Sequence, residues 1–326
     1  MAEDQSLATE PVIEMDSVPL DVWTESEEGI PIGTPAGADA GPGLLQEDPV
    51  EPAAIRKKLA IAYWVAVVWV VLVVGSAALA PFLPLPDPIE SDFGAIARSP
   101  SSANIFGTDE VGRDILSRSI FGARISLTVG IASVAIGLVV GGALGLMAGY
   151  LRGRTEKVIM TFTDSLLALP ALILLLTIAA VLGQSLRNII LGLAVLTVPT
   201  FIRLTRASCL VISQREFVTA SRSYGSGPIR VMLREILPNV FQSIAAYSFI
   251  IVGVVIVAEG SLSFLGLGVT PPTSSWGGMI AGGRISLTHT PHIAMVPSAV
   301  MFVTVLAFNV IGERLRKKFD VRESSL

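Results

Sequence analysis

Residues 214–239 read QREFVTASRSYGSGPIRVMLREILPN, a polar island with long apolar segments on both sides. Four arginines stand against two glutamates in it, a bias that marks the cytoplasmic side of a membrane protein. Phe217, Ala220, Ser221 and Tyr224 fall at i, i+3, i+4 and i+7. Ile229, Met232, Leu233, Ile236 and Leu237 repeat that helical spacing. Between the two sets, Gly225-Ser226-Gly227 breaks the helix and Pro228 suits the first position of the next one. The pattern predicts two short amphipathic helices. A folded helical element inside one loop of an otherwise apolar chain is a surface for a soluble partner.

Outward from the island the chain is that of a polytopic, all-α membrane protein. Of its 326 residues 52% are hydrophobic and 15% charged, against about 25% charged in soluble domains; mean hydropathy is +0.68. The net charge of −4 hides two opposed parts. Residues 1–55 hold thirteen Asp/Glu and no Lys or Arg, which leaves 23 basic against 14 acidic residues for the rest. The tail is rich in Pro, Gly, Ser and Glu, and its composition predicts disorder. Cys209, the single cysteine, reads as a small buried hydrophobe.

A membrane helix needs about 20 apolar residues. Six candidates result: Leu59–Ala80, Ile125–Tyr150, Val158–Leu182, Asn188–Leu210, Val240–Leu265 and His292–Ile311. An even number puts both termini on one side. With the termini inside, the cytoplasmic segments carry 17 Lys/Arg and the outer ones 6, which orients both termini and the 211–239 loop to the cytoplasm. The expected parts are the tail 1–55, the first span with an outer loop over 56–123, a five-helix core over 124–312 and a short tail over 313–326. Gly137, Gly141, Gly145 and Gly149 line one face of the second span and predict close packing on another helix, in this chain or in a second subunit.

Asp164 and Glu259 are carboxylates within or near spans, where such groups face a cavity or a partner. Glu259 reads either as a pathway or gate group or as a structural carboxylate capping Ser261 and nearby backbone; Asp164 reads as a packing or capping residue. Asp114 and Arg118, four apart, are placed to pair on an interfacial helix. His289 and His292, the only histidines, fall short of the three or four ligands of a transition-metal site, so no metal is expected. No G-x-x-x-x-G-K-[ST] occurs; the chain is not expected to hydrolyse ATP or bind nucleic acid.

Within the opening loop, Thr219-Ala220-Ser221, Gly225 and Leu237-Pro238 fit the spacing of the cytoplasmic Glu-Ala-Ala motif of permeases in ATP-binding-cassette (ABC) importers. Two outer segments are more specific. Phe106-Gly107-Thr108-Asp109-Glu110-Val111-Gly112-Arg113-Asp114-Ile115-Leu116-Ser117-Arg118, followed by Gly122-Ala123-Arg124-Ile125-Ser126-Leu127, resembles the signature of C-type permeases of dipeptide, oligopeptide and nickel importers. So does Glu259-Gly260-Ser261-Leu262-Ser263-Phe264-Leu265-Gly266-Leu267-Gly268 with Pro271-Pro272-Thr273 and Ser275-Trp276-Gly277.

The resemblance implies a type I importer permease fold of six membrane helices. It implies a bacterial inner-membrane subunit forming half of a pathway with a homologous B-type permease. Two ATPase subunits, which hold the ATP and Mg, and an extracytoplasmic binding protein are the other implied partners, besides the lipid bilayer. The ATPase-coupling residues it implies are Arg215, Glu216, Phe217, Thr219, Ala220, Ser221, Tyr224, Gly225, Leu237 and Pro238, with Ile229–Leu237 anchoring the second helix on the bundle. Glu259, Ser263, Phe264 and Asp164 are pathway or gate candidates. Gly107, Thr108, Asp109, Gly112, Arg113, Asp114 and Arg118 form the outer signature. The expected cargo is a di- or oligopeptide, with nickel or another small solute as the alternative. Rival readings are a proton-coupled carrier using Asp164 and Glu259 as relay groups, and a membrane scaffold.

Overall fold

The structure is a computed structural model that describes residues 53–324. The acidic tail lies outside the described residues except for its last three positions, which already belong to the first helix. Among the described residues the helices are α1 (Ala53–Leu79), α2 (Ile115–Leu151), α3 (Gly153–Leu167), α4 (Ala171–Leu182), α5 (Leu186–Ile212), α6 (Glu216–Ser223), α7 (Pro228–Phe264), α8 (Trp276–Gly283) and α9 (His292–Ser324). Helices α1, α2, α5, α7 and α9 are each long and apolar enough to cross a membrane, and α3 with α4 forms a sixth, broken segment.

That break corrects the expected third span, Val158–Leu182. The two halves meet at 87°. Pro170 supplies the cause: it carries no N–H and disfavours helical backbone at the residue before it, and the chain leaves the helix over 168–170. The other five spans are longer than expected, and three of them (α2, α7 and α9) by more than ten residues. Helix α2 starts ten residues early, so the interfacial helix expected near Asp114 is its first two turns. At 37 residues it is about 55 Å long, well beyond the ~30 Å hydrocarbon layer. Helix α9 runs on past Ile311 through the basic C-terminal segment.

Helix α7 joins the expected second amphipathic helix to the fifth span. The join is a π-helical stretch, Val231–Ile236, in which the Leu237 N–H reaches back five residues to the Met232 carbonyl. The register shifts just ahead of Pro238, whose ring has no N–H to donate.

The core centres on the contact between α2 and α5. A β-carbon on Gly141 would lie 2.5 Å from the Val198 carbonyl oxygen, and one on Gly145 2.5 Å from that of Ile202. Gly137 and Gly149 meet Thr197 and Cys209 as closely. The glycine face therefore packs on α5 of the same chain, backbone against backbone. Interhelical hydrogen bonds reinforce it: the Ser133 hydroxyl donates to the Ile190 carbonyl (3.0 Å) and the Thr197 hydroxyl to that of Ser133 (3.2 Å). Cys209 is fully buried there.

Helix α1 packs antiparallel on α9. Ala66 meets Ala307 and Ile311 in one cluster, Tyr63 and Leu315 flank it, and the Trp69 indole donates to the Thr304 hydroxyl at 3.0 Å. The start of α1 and the end of α9 therefore lie side by side.

Candidate functional site

Helix α6 is short and nearly bare. Glu216 in its first turn suits the positive helix end. Val218 is its one buried residue and fixes it to the bundle. On the other side of the helix, Phe217 is 43% exposed and Tyr224 90%, while Thr219 and Ala220 are exposed and Ser221 half-buried. The helix ends in a paired cap: the Gly225 N–H bonds the Arg222 carbonyl (2.9 Å) and the Ser226 N–H that of Ser221 (3.2 Å). This cap needs a left-handed residue. Gly225 has φ +80° and nothing within 4 Å of a β-carbon position, so conformation rather than space demands glycine. The Arg222 guanidinium lies 4.8 Å over the Tyr150 ring and ties α6 to the end of α2.

The expected anchoring face of the following helix needs correction. Ile229 and Leu233 are 69% and 52% exposed, and Met232, Leu237 and Pro238 are half-buried or exposed. Val231 and Ile236 are the fully buried pair. They sit five apart, which suits the π-helical register; the 3.6-residue period placed Ile236 correctly, with Met232 and Leu237 packed against the same core, but it included Ile229 and Leu233 and missed Val231. Phe217, Tyr224, Ile229 and Leu233 are thus exposed apolar side chains on this one helix–turn–helix element.

The outer segment 107–118 is a knot of hydrogen bonds. The expected Asp114–Arg118 pair does not form. Asp114 instead caps α2, accepting from the Ser117 N–H (2.7 Å) and from Asn104 (2.9 Å); an N-cap side chain is committed to the backbone. Arg118 turns to Asp109 (3.3 Å) and the Pro88 carbonyl (2.9 Å). Asp109 also holds the Arg113 side chain at 2.7 Å and accepts from the Val111 and Arg113 N–H groups. The Thr108 hydroxyl donates to the Ala95 carbonyl. Gly107 and Gly112 have φ +79° and +81°, and a β-carbon on Gly112 would sit 1.9 Å from the Asp92 carbonyl oxygen. Glu110 reaches the second outer loop through the Ser286 hydroxyl (2.7 Å).

Glu259 is fully buried on α7. Its carboxylate accepts from the hydroxyls of Ser263 (2.9 Å), Ser275 (2.9 Å) and Ser126 (3.1 Å). Ser261, the expected partner, bonds the Val257 carbonyl instead. The Ser275 hydroxyl in turn caps α8 at the Gly278 N–H (3.1 Å), and that of Ser126 accepts from the Trp276 N–H (3.2 Å). The buried Trp276 indole donates to the Ser119 carbonyl at 2.9 Å. One carboxylate thus clasps α2, α7 and α8. Ser126 and Ser275 were both within the quoted signatures, but nothing in their spacing linked them to Glu259.

The other pathway candidates lie apart from this clasp. Phe264 is exposed, with the Arg284 guanidinium 4.8 Å over its ring. Asp164 on α3 pairs with Arg203 on α5 at 2.7 Å, both more than half exposed. Glu156 pairs with Arg206 one turn further along, so both arginines late in α5 face carboxylates of α3. Among the described residues no group of three or more His, Cys, Asp or Glu is placed to hold a metal.

The described residues thus form a membrane-type helical bundle with a glycine-seamed core and one bare short helix. Residues 141–324 match the family described as binding-protein-dependent transport system inner membrane component, and the chain belongs to that family. It is 38% identical over 273 residues to the glutathione transport system permease protein GsiD of Pectobacterium atrosepticum, covering 83% of this chain and 89% of that protein. The Escherichia coli O6:K15:H31 protein of the same name is 39% identical, over 70% of this chain and 76% of its own length. The fold is similar to that of a chain in the inward-facing MetNI methionine ABC transporter, with TM-score 0.52, 16% identity, and 63% and 97% of the two chains covered. The chain is therefore a multi-pass inner-membrane permease of an ABC importer, a family whose permeases work with ATPase and substrate-binding subunits.

Proposed function

We propose that this permease imports small peptides, forms half of the translocation pathway with a homologous sister permease, and takes its ATP-driven motion through α6. The observation that carries the coupling reading is α6 itself: one anchored residue, Val218, beneath a bare face of Phe217 and Tyr224. The peptide reading is supported by relatives named for glutathione, a tripeptide. Each of two ATPases, holding ATP and Mg, seats one such helix. Both termini face the cytoplasm, in keeping with the 17-to-6 distribution of basic residues.

The physical requirement is a lever that does not bend. The Gly225 cap fixes the angle from α6 to α7, Val218 and Arg222 hold α6 to the bundle, and α7 continues without a break to Glu259. Displacement of α6 therefore moves α7, and with it the clasped α2 and α8. The ATPases bias two global states by contacting α6 differently in each. Phe264 is the gate contact of this chain, and Glu259 with Ser263 holds its helix in place. The Gly107–Arg118 knot is the rigid ledge that receives the binding protein.

Uptake of a labelled tripeptide by cells producing the full importer tests this reading. Uptake is expected to require ATP and the binding protein and to survive collapse of the pH gradient. Peptide uptake driven by a pH gradient into vesicles holding this chain alone would establish the proton-coupled rival.

A further inference from the structure

Where α1 and α9 meet at their adjacent ends, they leave an open pocket of ≈ 610 Å³ lined by Tyr63, Trp64, Arg314, Leu315, Lys317 and Lys318. We propose that this pocket binds the phosphate headgroup of an anionic phospholipid from the surrounding bilayer.

Its level in the fold points to a lipid. In sequence the apolar run of α1 begins at Leu59, and that of α9 gives way to charge at Glu313, so the pocket straddles the boundary between hydrocarbon and headgroups. Tyr63 and Trp64, edge to face at 5.6 Å, belong at that level, where an aromatic ring has one wet end and one oily end. Trp64 is 65% exposed. Val68, Val71 and Leu72 follow it at helical spacing, all more than half exposed, and offer an apolar lane for an acyl chain directly below the headgroup.

Its charge points to an anion. Arg314, Arg316, Lys317 and Lys318 crowd little more than one turn. Glu313, which precedes the run, is shared by Arg316 (3.4 Å) and Lys317 (4.0 Å). No carboxylate within residues 60–319 pairs with Arg314 or Lys318. A guanidinium with ammonium groups suits phosphate oxygens, and basic pockets between membrane helices at this level hold anionic headgroups. A zwitterionic headgroup brings its own cation into the same field and is held less well.

Native mass spectrometry of the importer complex, titrated with phosphatidylglycerol or phosphatidylcholine, tests the site. The wild type and the distant charge-loss variant Arg187→Gln are expected to retain phosphatidylglycerol. The double variant Arg314→Gln/Lys318→Gln is expected to retain it about tenfold less. Phosphatidylglycerol is also expected to raise the melting temperature of the wild type and not of the double variant. Equal retention by all three proteins, or equal retention of phosphatidylcholine, overturns the proposal. Displacement by millimolar inorganic phosphate would assign the pocket to a soluble anion, and displacement by an acidic peptide to a protein partner; either result also overturns it.

Discussion

Replacing Gly141 by valine is expected to abolish accumulation of folded permease. A β-carbon there meets the Val198 carbonyl oxygen at 2.5 Å and the Phe201 β-carbon at 2.7 Å. The obstacles are backbone and a fully buried aromatic, neither of which can swing aside. Sliding the helices does not relieve the clash, because Gly137, Gly145 and Gly149 lie equally close to α5. Overpacking costs about 1–3 kcal/mol where side chains adapt. Here two helices must separate along the contact that holds them together in lipid, where close approach itself drives association. Gly142→Ala is the control, since its nearest neighbour is Thr205 at 3.9 Å. Size-exclusion of a fluorescent fusion reads the outcome: the monodisperse peak should vanish for the first variant and persist for the second. Two normal peaks would refute the backbone contact.

Glu259→Ala should be nearly as damaging. It strands three buried hydroxyls and opens a cavity where α2, α7 and α8 meet. Each buried hydroxyl left without its partner costs about 1–3 kcal/mol, together a large share of a typical stability of about 5–15 kcal/mol. The expected result is a markedly lower melting temperature of the purified complex. Adding Ser263→Ala to that variant should cost little more, because the bond of that hydroxyl to Glu259 is already lost. A pathway role gives the opposite pattern: transport gone, melting temperature unchanged.

The sequence showed the spans, the glycine face and the helical loop because each is a local pattern. Hydropathy reports length, glycine spacing reports a helix face, and the Gly-Ser-Gly-Pro break reports the turn between two helices. Errors arose where one residue overrides a pattern. Pro170 splits an apolar run that hydropathy averages as continuous. A π-helical register just ahead of Pro238 left Ile229 and Leu233 outside and brought Val231 inside beside the expected Ile236. The Asp114–Arg118 pair failed because both groups had stronger partners, a helix N-terminus and Asp109, that spacing does not register. The Glu259 clasp was half legible: a carboxylate in a span announces a partner, but Ser126 and Ser275 lie 133 residues before it and 16 after it, a juxtaposition only the fold creates.

The central claim is that α6 carries the ATPase's motion into the membrane, and the double variant Phe217→Asp/Tyr224→Asp tests it most directly. Both side chains are exposed and Val218 is untouched, so α6 and the bundle should fold normally. Buried aromatic anchors at protein interfaces are worth about 2 kcal/mol or more each, and two buried charges replace them. In proteoliposomes of the reconstituted importer, ATP-dependent peptide uptake should fall to background while the two permeases still co-purify. Uptake at the wild-type rate by a correctly assembled double variant would contradict the account.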